Sequence, residues 1–258
     1  MKKIWLTALE DVKEIQQKFM ASITPYGLTV EGHFWKDDLV KWSWAGPRNA
    51  LSDLDVALWV ILGSAERLSS PDTRYGLSLL TLSVQAARGA GFPVVVVQTT
   101  DVAITPESLP TPLKGAEILP LKSPSLGPKL TAKIHAPVKK IVTDYRVDIL
   151  GNEHLGQWFE LGPVDGLWRG GLFGVSGGEI LFQAVGNRGG LPKSAELHYP
   201  SKGMKIALGE TEYLAWGVQN EIEAASSYYV KVMGAPESVL FGPYPMDESA
   251  DLYVIRLK

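Results

Sequence analysis

The chain has no cysteine. Disulfides, thiolate metal centres and cysteine nucleophiles are therefore all excluded. Histidine is scarce: His33, His135, His154 and His198 stand far apart, and none forms a closely spaced ligand pair of the kind helical metal sites use. No metal is expected. Long apolar runs are missing as well, and no window reaches the ~18 residues that a membrane-spanning helix needs. The two N-terminal lysines precede an apolar run too short for a signal-peptide core. No Asn-x-Ser/Thr sequon occurs. Neither charge dominates: the formal net charge is −3, which argues against bulk binding to nucleic acid or membrane. These absences together predict a soluble, cytoplasmic protein.

What is present suffices for a real core. Hydrophobic residues make up 45% and charged residues 21% of 258 residues, an ordinary globular balance. The first hundred residues alternate between strand and helix patterns. Residues 3–8, 28–34, 54–62 and 93–98 read as strands; the last two are near-continuous apolar runs, as in strands covered on both faces. Residues 10–22 carry a helical apolar stripe at Val12, Ile15, Phe19 and Met20. Residues 75–88 read as a helix ended by Gly89 and Gly91. Such alternation predicts a parallel sheet with flanking helices.

Seven prolines fall between residues 106 and 137. Residues 116–121 read as one last strand, and 122–137 as a proline-rich linker. The remainder reads as all-β: candidate strands at 158–161, 167–175, 179–185, 195–199, 204–208, 213–218, 227–232, 239–242 and 252–257 are separated by glycine and proline turns, including residues 245–247. This spacing predicts a sandwich or barrel. A helix from about residue 212 to 233 is the alternative for that stretch. The expected organisation is an α/β domain over 1–121, a linker over 122–137 and a β-rich domain over 138–258.

Several N-terminal segments, taken in order, resemble TIR (Toll/interleukin-1 receptor) domains. They are Lys3-Ile4-Trp5-Leu6-Thr7-Ala8 followed by Glu10-Asp11, then Phe34-Trp35-Lys36-Asp37-Asp38-Leu39, then Ser52-Asp53-Leu54-Asp55-Val56, and then Leu62-Gly63-Ser64 with Ser69-Ser70-Pro71-Asp72-Thr73-Arg74-Tyr75-Gly76-Leu77. The resemblance implies a flavodoxin-like, five-stranded parallel sheet over residues 1–121. It implies ligand-binding positions at Thr7, Ala8, Asp11, Gly63 and Ser64. It also places Trp35, Trp42 and Trp44 in the loop through which such domains meet partners. There these aromatics would be either interface anchors or packing for the loop. NAD is the molecule that TIR enzymes cleave, using a glutamate in the helix after the third strand. Gly76 stands at that position.

Cleaving the nicotinamide–ribose bond builds positive charge on the ribose, which a carboxylate stabilises. Glycine supplies none. The nearest fallbacks are Glu66, in the preceding loop, and Asp72, which also suits the first turn of a helix. The reading is therefore a non-enzymatic adaptor, scaffold or regulatory subunit that associates with a protein partner or a second copy, without a cofactor. Two alternatives stand beside it: a nucleotide-processing enzyme with a displaced carboxylate, for which NAD would be the substrate, and a β-domain recognition module for protein or glycan.

Other motifs carry less. Gly174-Val175-Ser176-Gly177-Gly178 matches the nucleophile-elbow pattern, but a strand pattern follows it where a helix is required, so a hairpin turn is expected. Gly89-Ala90-Gly91 follows a helix, the reverse of a dinucleotide fingerprint.

Overall fold

The structure is a computed structural model that describes residues 2–245 and 251–258. The turn expected at residues 245–247 falls partly outside them. The chain divides into two compact units, Met1–Ile141 and Val142–Lys258.

In the first unit, strands β1 (Lys3–Ala8), β2 (Thr29–Phe34), β3 (Val56–Gly63), β4 (Val94–Gln98) and β5 (Glu117–Pro120) form one parallel sheet in the order β2-β1-β3-β4-β5. This is the flavodoxin-like order, in which the chain direction across the sheet reverses between β1 and β3. Five helices accompany it: α1 (Lys13–Ile23), α2 (Arg48–Ser52), α3 (Ala65–Ser69), α4 (Pro71–Arg88) and α5 (Leu126–His135). Apolar runs cover both faces of the central strands. On one face Ile4, Leu6, Leu58, Val60 and Val95 meet Phe19 and Ile23 of α1 and Leu130 and Ile134 of α5. On the other, the buried Trp59 donates from Nε1 to Thr7 Oγ1 at 2.8 Å. Right-handed crossovers require this division, because the chain leaves β1 and β3 in opposite directions.

The stretch expected as a linker holds α5. Pro128 lies in its first turn, where a missing N–H costs nothing because that turn has no internal acceptor, and Pro137 follows its end. Leu126, Leu130 and Ile134 repeat at helical spacing and join the sheet core. Each such burial is worth about 1.5–3 kcal/mol, which is why this segment folds onto the sheet.

The second unit contains two antiparallel sheets. One has five strands, β10 (Ser201–Leu208), β11 (Thr211–Glu223), β8 (Leu167–Ser176), β13 (Ser238–Pro243) and β14 (Tyr253–Arg256); the other has four, β6 (Tyr145–Asn152), β7 (Gly156–Pro163), β12 (Ser226–Met233) and β9 (Glu179–Asn187). Their inner faces meet through Phe159 and Phe173, with ring centroids 5.0 Å apart, and through Tyr145 and Phe241, also 5.0 Å apart. The unit is a sandwich.

Three details depart from the sequence reading. Residues 145–152 form a strand that was not expected. Residues 195–199 form none: Asn220 instead holds that segment, accepting from His198 N at 2.8 Å and donating to Glu196 O at 3.0 Å. The strands expected at 213–218 and 227–232 are present within β11 and β12, in place of the alternative helix over residues 212–233. The Gly-x-Ser-x-Gly motif is a tight turn but not the expected hairpin: Gly177 and Gly178, at φ 72° and 92°, carry the chain from β8 in the five-stranded sheet to β9 in the four-stranded one, and the two strands do not pair.

Candidate functional site

In a sheet of this order, ligands bind in the crevice beyond the carboxyl ends of the strands at the β1/β3 reversal. Here the chain itself occupies the β1 side of that crevice. The chain leaving β1 turns across the end of β3, where Leu9 N donates to Leu62 O at 2.8 Å. Leu9 is buried against Gly63; a Cβ on Gly63 would stand 2.6 Å from Leu9 Cδ1. The glycine is thus required by the close approach of the loop. Next in the loop, Glu10 reaches over the crest. Its Oε1 accepts from Ser64 Oγ and, at 3.3 Å, from Ser64 N, and its Oε2 accepts from Thr99 Oγ1 at 3.4 Å. Ser64 Oγ also caps α3 by accepting from Arg67 N at 3.2 Å.

A second carboxylate lies beside this one. Asp37 follows β2, and its Oδ2 pairs with Arg67 Nη2 at 2.8 Å. Its Oδ1 accepts from Trp35 Nε1 at 2.7 Å and from Thr73 Oγ1 at 2.8 Å. Asp37 thereby fixes the Trp35 indole against α4 at Gly76: a Cβ on Gly76 would be 2.8 Å from Trp35 Cζ2 and 3.2 Å from Trp44 Cβ. Trp35 and Trp44 are buried, so both pack the loop onto the unit.

Trp42 is half-buried, tilted against Trp44 at 5.2 Å, and holds a left-handed φ of 56° that is uncommon for a bulky residue. The loop is braced internally, with Ser43 N donating to Asp38 O at 3.1 Å and Lys41 N to Asp38 Oδ1 at 3.0 Å. It exposes Val40 at its tip, 84% accessible.

His33 lies between two of the tryptophans. Trp5 Nε1 donates to His33 Nδ1 at 3.2 Å, which leaves the ring proton on Nε2. That Nε2 is buried with no partner. Burial penalises the imidazolium and lowers the His33 pKa to about 4.

The expected site residues separate into three groups. Gly63 and Ser64 stand at the crest, but both are occupied, one under Leu9 and the other by Glu10. Thr7 faces the core as the partner of Trp59, and Ala8 is buried with its carbonyl accepting from Trp35 N at 2.8 Å. Asp11, Glu66 and Asp72 are exposed. Glu10, Asp37, Arg67 and Thr99, which build the crest network, were not singled out as site residues in the sequence; only their three-dimensional convergence marks them. An open groove of ≈ 440 Å³ remains on the β3/β4 side, bordered by Ser64, Glu66, Ser69, Arg74, Thr100 and Ser108. Arg74 Nη1 bonds across it to Ser108 O.

The second unit has its own buried charge. Glu160 Oε1 accepts from Ser227 Oγ at 2.7 Å, Gly189 N at 2.8 Å and Tyr229 OH at 3.2 Å, and lies 3.6 Å from Arg146 Nη1. This network pins the β9–β10 connection onto the outer face of the four-stranded sheet, with Pro192 against Gly186. Trp158 and Trp216 are half-buried, whereas Trp168, Tyr228 and Tyr229 are buried. Among the described residues no three His, Asp or Glu side chains cluster as metal ligands, and no helix is long and apolar enough to cross a membrane. Comparison with protein-family models, with curated proteins and with solved structures gives no match.

Proposed function

We propose that this chain is a non-enzymatic, TIR-like protein that acts by association, as an adaptor, scaffold or regulatory subunit. One observation carries the reading: the Trp35 indole, held by Asp37, fills the space a side chain at position 76 would need. The position is not an emptied pocket awaiting a carboxylate. It is packed. The two carboxylates nearby, Glu10 and Asp37, each serve several internal donors, and such groups act as clamps for loops. Leu9 occupies the β1 side of the crevice that a substrate would enter.

Association has a candidate surface in the braced loop that presents Val40. A rigid loop with an exposed apolar tip loses little entropy on docking. Light scattering across concentration, with Val40→Glu as the variant, tests it. The expected result is a self-associated species, or a complex with an added partner, that the variant loses. A monomer at every concentration that captures no partner would count against the reading.

A second reading, a nucleotide-processing enzyme, is favoured by one feature. The Glu10 carboxylate bonds to Ser64 at the β1/β3 reversal, whereas Glu66 and Asp72 are exposed. If chemistry persists here, Glu10 is the displaced carboxylate. Glu10→Gln would then abolish turnover.

A further inference from the structure

The opposite end of the same sheet carries a cavity that the association reading does not use. It has a volume of ≈ 430 Å³, within the lower part of the range of small-molecule sites, about 300–1,000 Å³. Its walls are Phe92, Leu113, Ile134 and Val138, among other apolar groups. Its charges are one-sided: Lys2, Arg88, Lys133 and Lys139 line it, and no Asp or Glu does. The lining also holds no Ser, Thr or Tyr hydroxyl.

The cations are not equally committed. Lys133 pairs with Glu117 at 2.7 Å, and Lys2 Nζ donates to Ile134 O at 3.0 Å. Arg88 makes three hydrogen bonds, all to carbonyls, those of Leu51, Asp53 and Val56. Carbonyls satisfy donors without cancelling charge. A guanidinium has five N–H groups, so two of Arg88's have no acceptor among the described residues. The carboxylate acting on it, Asp53, is shared with Lys3 at 3.8 Å and with Asp55 N at 3.0 Å. The Arg88 guanidinium sits 4.5 Å above the Phe92 ring, at the cavity wall. Lys139 belongs to an irregular strap, residues 136–141, whose backbone rests directly on Gly91; a Cβ there would stand 1.7 Å from Lys139 O.

We propose that this cavity binds a small amphipathic carboxylic acid. The carboxylate faces Arg88 and Lys139, and the apolar tail lies between Phe92, Leu113 and Ile134 under the strap. A sugar or nucleotide is disfavoured because most of the lining is apolar and, apart from the cations, Gln85 is the one polar side chain in it, already donating to Pro112 O at 3.2 Å, so most of its hydroxyls would lose water without a partner. The volume suits a tail of roughly eight carbons better than a long lipid chain. A carboxylate meeting an arginine fork gains charge-assisted hydrogen bonds.

Calorimetry on the full chain with octanoate, 1-octanol and octylamine tests this. The expected result is saturable one-site binding of octanoate, at least tenfold tighter than octanol, and no binding of octylamine. Lys139→Glu, an exposed change outside any helix or strand, should weaken octanoate at least tenfold while circular dichroism and Tm stay unchanged. Amide exchange over residues 136–141 should slow with octanoate. Equal binding of all three probes, no saturable octanoate binding, or octanoate affinity unaltered by Lys139→Glu would overturn the proposal. None of these outcomes bears on the association reading, which rests on the other end of the sheet.

Discussion

The Cζ2 atom of Trp35 lies 2.8 Å from where a Cβ on Gly76 would be. A helical glycine costs about 1 kcal/mol relative to alanine, and here it admits an indole that closes the crest. Introducing a carboxylate at this position is therefore predicted to harm the protein without conferring chemistry. Gly76→Glu should lower stability by about 1–3 kcal/mol or more through overpacking against Trp35 and Trp44, read as a shifted urea midpoint. It should not produce NAD cleavage.

Asp37 ties Arg67, Trp35 and Thr73 together, and two substitutions separate these ties. Asn keeps an oxygen for Trp35 Nε1 and Thr73 Oγ1 and loses only the ion pair with Arg67, whose side chain is 36% exposed. Asp37→Asn should cost ~0–1 kcal/mol. Ala leaves two donors without their acceptor, so Asp37→Ala should cost about 1–3 kcal/mol. Equal midpoints for the two variants in urea would contradict the clamp.

His33 makes stability depend on pH. Its unfolded pKa is 6.5 and its folded pKa, depressed by burial, is about 4. The unfolded chain takes up a proton across this window that the folded chain refuses. The contribution is complete above pH 6.5, falls as pH drops towards 4, and levels below that. Between pH 7 and 4 the wild type should lose more stability than His33→Phe, which has nothing to titrate. Parallel curves for the two would show that His33 is not the source.

Leu130 tests whether residues 126–135 belong to the core. It is fully buried in the cluster shared by α1, α5 and the sheet. Leu130→Ala should cost about 2–5 kcal/mol, the range for a buried leucine truncated in a packed interior. A linker residue would cost almost nothing.

Strand positions in the first unit were legible because their chemistry is local: the valines of β4 and the apolar run of β3 declare strands buried on both faces. The helix α5 was obscured by Pro124, Pro128 and Pro137, which bracket a helix or sit in its first turn instead of interrupting it. Strand β6 went unread although Val147 and Ile149 alternate with polar neighbours. The glycine at position 76 was visible in sequence, but the indole packed against it was not. Asp37 lies two residues from Trp35, but its bonds to Arg67 and Thr73, 30 and 36 residues away, are contacts that no short motif encodes. The same holds for Glu10, which meets Ser64 and Thr99 across 54 and 89 residues.

The measurement that bears most directly on the central claim is nicotinamide release from NAD at high protein concentration, run on wild type and Glu10→Gln in parallel. No turnover above the protein-free rate is expected for either. Turnover that grows with wild-type concentration and disappears in Glu10→Gln would contradict it and make the crest network an active site.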